Sequence, residues 1–526
     1  MISALASVQV ALDQRLEALA DRVARDDAPH KPSTAKIHEH GEACFDLARW
    51  TAEVSAAKTL LETTEGRSPA VQQLSNYAAA RAIQAVCAAA RIDVPDGVDE
   101  AASGQAAGRV AELALDGALS SADAYMLAED HEDIRVLFRE FADGKVAPLA
   151  EHIHCEDALI PEDLIADYAE LGALGITIPE QYGGMFIDHR SMALATEELS
   201  RASLGAGGSV ITRPEIAAKA LLSGGTEEQK STWLPRIAGG EEIVSIAVTE
   251  PGAGSDVARL RLAAKKVDGG YELTGEKTWC TFAGRASLLL VLARTGTADE
   301  GARGLTLFLA QKTPTKAPAD DRSFQHDDGR GGTISGRAIP TVGYRGMHSF
   351  TVFFEKWFVP DDGRIGPEGG GFALQMKGFA GGRIQTAARA VGVMEAAFRA
   401  AVAYTKERRV FGRTLDQLPL VRRKLADMAA RVALSRQMTY AVCDQMDDGG
   451  GQVEASLVKL LACKDAETVT REAMQLHGGM GYSEEFAVSR YWQDARVLSI
   501  FEGAEEVLAI LVIARSLLRE RLAARA

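Results

Sequence analysis

Cysteine is scarce in this sequence. The six present (Cys44, Cys87, Cys155, Cys280, Cys443 and Cys463) are scattered and form no CxxC pair. That argues against a disulfide framework or a zinc site and for free thiols in a reducing compartment. Long apolar runs are missing too. No stretch is long enough to span a bilayer, and Asp13 and Arg15 break the N-terminal segment before it could act as a leader. The expectation is a cytoplasmic protein with no membrane partner and no metal. Positive charge is in deficit, with 58 Lys and Arg against 73 Asp and Glu and a net charge of −15. Nucleic-acid binding runs on Lys/Arg neutralisation of phosphates and counterion release, so nucleic acid is not an expected partner. An anionic small ligand remains open, because a few arginines and helix N-termini can hold phosphate locally.

A chain of 526 residues, 47% hydrophobic, is long enough for several cores. Residues 1–125 read as a helical extension. Leu47, Trp50, Val54, Ala57 and Leu61 recur at spacings of three and four, one stripe for packing against another helix. Breaks fall at Pro29 and Pro32 and across Asp93–Gly97. Residues 126–244 continue as a helical domain, with Ile134, Leu137, Phe138 and Phe141 as an apolar face that Pro148 closes. Between 245 and 360 the period changes. Apolar runs at 243–248, 271–273, 288–292, 305–309 and 351–354, punctuated by turns such as Asp268-Gly269-Gly270, predict a central antiparallel β domain rather than βαβ units. The polar stretch 313–332 reads as an exposed insertion. From 361 to 526 helical periodicity returns in four segments near 372–407, 418–447, 453–477 and 504–523. The fold class is α+β, mainly helical.

The loop Val248-Thr249-Glu250-Pro251-Gly252-Ala253-Gly254-Ser255-Asp256 follows a predicted strand. Its glycines would let backbone N–H groups approach an anion or a flat ring, and Thr249 and Ser255 add hydroxyls. Alone it is weak evidence, since a bland tight turn reads the same way and the strand–helix context of a dinucleotide fingerprint is missing. Four further motifs follow in order: Thr278-Trp279-Cys280-Thr281, Arg408-Arg409-Val410-Phe411-Gly412, Gln475 to Tyr482 and Ile500-Phe501-Glu502-Gly503. Together the five resemble the acyl-CoA dehydrogenase family across about 400 residues.

The resemblance implies an FAD enzyme with a helical N-domain, central β domain and C-terminal four-helix bundle, preceded here by the extension. It implies that Val248, Thr249, Gly254, Ser255, Trp279, Cys280 and Thr281 meet the flavin. Arg408, Phe411, Gln475, Gly478 and Gly479 would hold the cofactor of a neighbouring subunit, hence a homodimer or homotetramer. It also implies that Glu502 takes the α-proton of an acyl-CoA thioester while the β-hydrogen leaves as hydride. Ser255, Arg383 and Gly503 are the implied substrate contacts, and an electron-transfer flavoprotein is the implied acceptor. General acid–base catalysis supplies only about 10²–10⁴-fold, so the implied mechanism also needs hydrogen bonds to the thioester carbonyl. In some relatives the base lies at the position matching Gly382; glycine has no carboxylate, which leaves Glu502. Pro419 and Ala504 stand where the family pattern has Gln and Thr, which touches the adenine end and not the chemistry.

The extension resembles the bacterial branch that oxidises (2S)-methylsuccinyl-CoA to mesaconyl-CoA. A carboxylate on the acyl group needs a cation once desolvated. Arg213, in Val210-Ile211-Thr212-Arg213-Pro214, is expected to be that cation, with a structural charge as an equal alternative. Gly381-Gly382 would leave room for a bulky α-substituent, or simply loosen the helix entry. The rival readings are a general short- or branched-chain acyl-CoA dehydrogenase, an acyl-CoA oxidase, and a non-catalytic flavin-holding or nucleic-acid-associated member of the superfamily.

Overall fold

The computed structural model of the protein describes residues 1–120, 122–314 and 322–525. The chain forms two compact units that interleave along the sequence. One comprises Met1–Arg139, His189–Arg201 and Thr386–Ala526; the other comprises Glu140–Asp188 and Ala202–Gln385.

The second unit is built on a nine-stranded sheet: β1 (Val244–Ala247), β2 (Ala263–Val267), β3 (Gly270–Thr281), β4 (Leu288–Arg294), β5 (Leu305–Gln311), β6 (Ser323–Asp327), β7 (Thr333–Ile339), β8 (Ser349–Pro360) and β9 (Arg364–Ile365). The spatial order is β6-β7-β8-β3-β2-β4-β5-β9, with β1 paired to β4. Most ladders are antiparallel, as the turn spacing predicts; β1 and β2 pair with β4 in parallel, so the sheet is mixed. The run Leu288–Ala293 explains why β4 sits inside. Leu288, Leu290 and Leu292 face a core shared with Ile216, Leu221, Leu234 and Ile237, while Leu289, Val291 and Ala293 face a second core with Tyr271, Phe308, Phe350 and Val352. A strand covered on both faces reads as a continuous apolar run rather than an alternating one. The presumed insertion 313–332 is corrected in part: residues 315–321 lie outside the described residues, but Ser323–Asp327 is a strand of the sheet, paired with β7.

The first unit is helical. The extension contributes Ile2–Val23, Thr34–Glu39, Gly41–Thr63, Pro69–Ala90 and Gly104–Leu115, and the C-terminal part contributes Pro419–Asp447, Gln452–His477, Ala487–Leu498 and Arg515–Ala523. The long helix Gly371–Glu407 belongs to this unit from Thr386 onward. The extension is not a separate body here. Leu16, Leu19 and Val23 share a core with Leu518 and Leu522, each fully buried leucine contributing about 1.5–3 kcal/mol. Tyr77 and Arg81 reach Asp427 with hydrogen bonds of 2.7 and 2.8 Å.

Three local expectations fail for identifiable reasons. Pro148 does not close its helix. It stands in the first turn of Ala147–Cys155, where no N–H is needed, and a π-helical turn at Ala142–Val146 joins it to Glu129–Phe141. Leu137 is exposed while Phe138 is buried, because the buried face of that helix carries Arg135, bonded to Glu132 and Glu198. Helix Ala487–Leu498 was not among the four expected C-terminal segments. Among the described residues no helix is long and apolar enough to cross a membrane.

Candidate functional site

In the sheet unit the glycine-rich loop is braced from below. Lys277, on β3 and fully buried, donates to the Val248 carbonyl (2.8 Å) and to Glu250 (2.9 Å). Glu250 in turn accepts the backbone N–H groups of Arg261 (2.7 Å) and Leu262 (2.9 Å). Burial pushes the Lys277 ammonium down from its ordinary value while Glu250 pulls it back. The Thr278 N–H donates to the Thr249 carbonyl at 2.8 Å, so loop and strand are tied edge to edge. Lys277 was not foreseen; its neighbours Glu276 and Thr278 are polar and not buried, so nothing local marks it as a buried brace.

The same strand carries a bulge. Pairing with β8 slips between Lys277 and Cys280, and Trp279 takes a φ of 59°. A bulge turns one side chain out of the pleat, and a bulky residue at positive φ is a strained placement that the surroundings must enforce. The outcome is an indole left 55% exposed, where an isolated Trp would be expected to bury itself. Thr281 shares a hydrogen bond with Ser349 (2.9 Å) and its carbonyl accepts from Ser245 (2.8 Å). Cys280 points into the core, burial pushing its thiol up to about 12, so only its main chain faces the loop side. Val248 is likewise buried. Gly252, Gly254 and Ser255 are exposed, and a Cβ on Gly252 would meet nothing within 4 Å. An open glycine loop, two threonines and an outward indole fit the flat ring and hydrogen-bonding edge of FAD.

Arg213 is buried in the same unit. Its guanidinium donates to the Ser209 carbonyl and to the Tyr344 hydroxyl at 2.7 Å, and lies 3.6 Å from the Met347 sulfur. Among the described residues no carboxylate pairs with it. Arg383 is half-buried on the long helix. The hollow expected over Gly381 is not vacant: a Cβ there would lie 2.1 Å from Glu215 and 2.2 Å from Lys219, an ion pair 2.7 Å long. At Gly381 the missing side chain makes way for that pair.

The helical unit holds Glu502. The turn is strained, with φ of 54° at Glu502 and 102° at Gly503. Two buried groups hold it. Lys459 donates to the carbonyls on either side, Phe501 at 2.9 Å and Gly503 at 2.6 Å. Arg389, fully buried, donates from one nitrogen to Glu502 Oε1 (2.8 Å) and to Thr386 Oγ1 (2.6 Å), and the Thr386 hydroxyl bonds Glu502 Oε2. Arg389 also lies 4.6 Å over the Phe501 ring. The Glu502 side chain keeps 12% of its surface exposed. Lys459, Thr386 and Arg389 escaped the sequence reading, because nothing local links them to a turn up to 116 residues away.

Elsewhere in this unit Arg408 is exposed next to the hairpin of Arg409–Val410 and Arg413–Thr414, whose tip lifts Phe411 out at φ 48° and 93% exposure. Gln475, Gly478 and Gly479 are exposed at the end of Gln452–His477, near the exposed Tyr482.

Family models for acyl-CoA dehydrogenases match the N-terminal domain at residues 128–241, the middle domain at 245–357 and the C-terminal domain at 369–518. The chain is 42% identical to the (2S)-methylsuccinyl-CoA dehydrogenase of Cereibacter sphaeroides over 394 residues, 74% of this chain and 70% of that one. The structure of butyryl-CoA dehydrogenase from Megasphaera elsdenii matches with a TM-score of 0.68 at 31% identity, covering 74% of this chain and 99% of that one. A glutaryl-CoA dehydrogenase from Mycobacterium smegmatis in complex with FADH2 matches with a TM-score of 0.67 at 26% identity, covering 76% and 97%. With three domain models matched in sequence order, the chain belongs to the acyl-CoA dehydrogenase family of FAD-dependent oxidoreductases.

Proposed function

We propose that this enzyme oxidises a short, branched acyl-CoA thioester that carries a carboxylate, (2S)-methylsuccinyl-CoA to mesaconyl-CoA, with Glu502 as the base. The observation that carries the reading is a partly open carboxylate held at a strained turn by buried groups. Strain of this kind persists only where surrounding contacts over-determine it, and it gathers at functional sites. The 42% identity to a methylsuccinyl-CoA dehydrogenase supports the substrate class. So does Arg213, a buried cation whose described partners are all neutral. Burying an unpaired charge is unfavourable, and an anionic ligand would relieve it.

When bound, FAD supplies the acceptor for the β-hydride. Glu502 accepts the α-proton, and its backbone N–H donates to the thioester carbonyl, where one such donor is worth about 3 kcal/mol. Thr249, Thr281, Trp279, Val248, Gly254, Ser255 and the Cys280 main chain would hold FAD, the two threonines offering hydroxyls and Trp279 an apolar face. Arg408, Phe411, Gln475, Gly478 and Gly479 serve the cofactor of a second subunit, a role supported by the exposure of Phe411, so the proposal includes a homodimer or homotetramer. Ser255, Arg383, Gly503 and Arg213 contact substrate. The segmentation at 1–125, 126–244, 245–360 and 361–526, the cytoplasmic location and an electron-transfer flavoprotein as acceptor belong to the same proposal.

The test is anaerobic titration of the holoenzyme with a panel of thioesters while flavin absorbance is followed. Bleaching by methylsuccinyl-CoA that is much faster than by butyryl- or isobutyryl-CoA supports it. Equally fast bleaching by the plain thioesters keeps the dehydrogenase and discards the carboxylate. No bleaching by any thioester overturns the whole reading.

A further inference from the structure

Arg389 is hard to explain as part of a plain proton-abstracting site. Its guanidinium is fully buried and directly bonded to the base, and Thr386 closes the triangle by bonding both partners. A buried cation is unfavourable unless an anion accompanies it. Here that anion is the group whose negative charge must leave for the reaction to occur. Abstraction breaks the α C–H bond, neutralises Glu502 and moves the charge onto the substrate, so a base held by Arg389 gives up that attraction in the act.

We propose that Arg389 gates the base: the substrate's own carboxylate takes over the guanidinium and so frees Glu502 to attack. The inference rests on the reading of Glu502 as base. In a succinyl-type thioester the carboxylate carbon lies only two C–C bonds from the α-carbon, each about 1.5 Å. The base must approach that same α-carbon to about 3–3.5 Å. Base and substrate carboxylate are therefore necessarily close together. A cation that already touches the base is placed to reconcile two anions there, and Arg389 touches it at 2.8 Å. A guanidinium fork can pass from one carboxylate to another without leaving its place, because it offers five donors in a fixed plane. Its stack on Phe501 holds that plane on the protein side. A plain acyl thioester brings no competing anion, leaves Glu502 paired and reacts slowly. Arg389 thus acts on rate and selectivity; in this inference it, rather than Arg213, is the carboxylate's partner at the moment of proton abstraction.

The test compares anaerobic flavin-reduction rates for methylsuccinyl-CoA and for 2-methylbutyryl-CoA, in which a methyl replaces the carboxylate, in wild-type holoenzyme and in Arg389→Met. The gate predicts that R389M lowers the rate ratio of the two substrates at least tenfold. It also predicts that the plain thioester reacts faster than in wild type, a gain that loss of a structural contact does not produce. Arg389→Lys should keep most of the discrimination. In wild type, added formate should accelerate isobutyryl-CoA, whose acyl group ends where the carboxylate would begin, in a saturable way by supplying the missing anion; this arm decides the matter if R389M does not fold. Equal slowing of both substrates in R389M, or no response to formate, overturns the gate. Failure of wild type to reduce flavin with any thioester overturns the dehydrogenase reading itself.

Discussion

Two buried ion clusters in the helical unit use the same chemistry to opposite ends. In one, Arg436 bridges Glu197 (2.9 Å) and Glu395 (2.8 Å), Tyr440 donates to Glu197 at 2.8 Å, Arg399 bonds Glu395, and Arg436 lies 4.1 Å over the Tyr125 ring. Burial alone would raise the Glu395 carboxyl, but Arg436 and Arg399 together hold it down at about 2. All of these carboxylates stand on regular helices and are sealed. In the other, Glu502 has one cation, one hydroxyl, a left-handed backbone and an open edge. Glu197, with one arginine and one hydroxyl, has the same kinds of partner as Glu502, so partners alone do not separate the two clusters. A sealed carboxylate on a regular helix builds structure, whereas the open one at a strained turn is, in our proposal, the one able to let go.

The largest effect expected from breaking the comparison is at Glu502. Glu502→Gln keeps an oxygen for Arg389 but cannot take the proton, so the rate of flavin reduction should fall by about 10²–10⁴-fold; stopped-flow absorbance reads it, and a fall under tenfold would assign the base elsewhere. Next comes the sealed cluster. Arg436→Met leaves two buried carboxylates without their bridge and should lower stability by about 3–5 kcal/mol in urea unfolding. A loss below about 1 kcal/mol would mean that Arg399 and Tyr440 suffice. Gly503→Ala comes third. At φ 102° an added methyl is strained and would meet Leu508 at 2.9 Å, so stability should fall by more than about 1 kcal/mol. Flavin reduction should slow with it, because the turn that presents Glu502 has to shift; unchanged kinetics would show that the turn's strain is incidental.

The smallest effect belongs to a carboxylate beside a like charge. Burial first, then the neighbouring Asp465, push the Glu53 carboxyl up to about 7, against Arg431 and Arg49. A carboxyl raised above its ordinary 4.5 keeps its proton in the folded state. Stability is therefore lost as pH climbs from about 4.5 to about 7, and the loss is complete above that. Glu53→Gln should then raise the melting temperature at pH 8 and leave it nearly unchanged at pH 4.5. An equal shift at both pH values would detach the effect from titration.

The elements that could be read in advance were those with a strong local period. Leu288–Ala293 is apolar at every position because both faces of its strand are covered, and the long helices beginning at Gly371, Pro419 and Gln452 repeat their apolar stripes over many turns. Strand β6 was missed because an edge strand at a polar stretch carries little apolar signal, and helix Ala487–Leu498 because charged residues interrupt its stripe. The proposed site could be named in advance as a list of motifs. Its supports were not: Lys277, Thr386, Arg389 and Lys459 are ordinary residues in their own neighbourhoods and acquire meaning from partners 27 to 116 residues away.

By itself the sequence determined the family, the order of helical and strand regions, and the presence of a glutamate and glycine in one motif, because period and motif are local properties of a chain. Only the tertiary structure decided that the N-terminal extension shares a core with the last helix, that a bulge turns Trp279 outward, and that Glu502 rests against Arg389. Each of these depends on which distant side chains exclude water together, and spacing along one chain does not encode that.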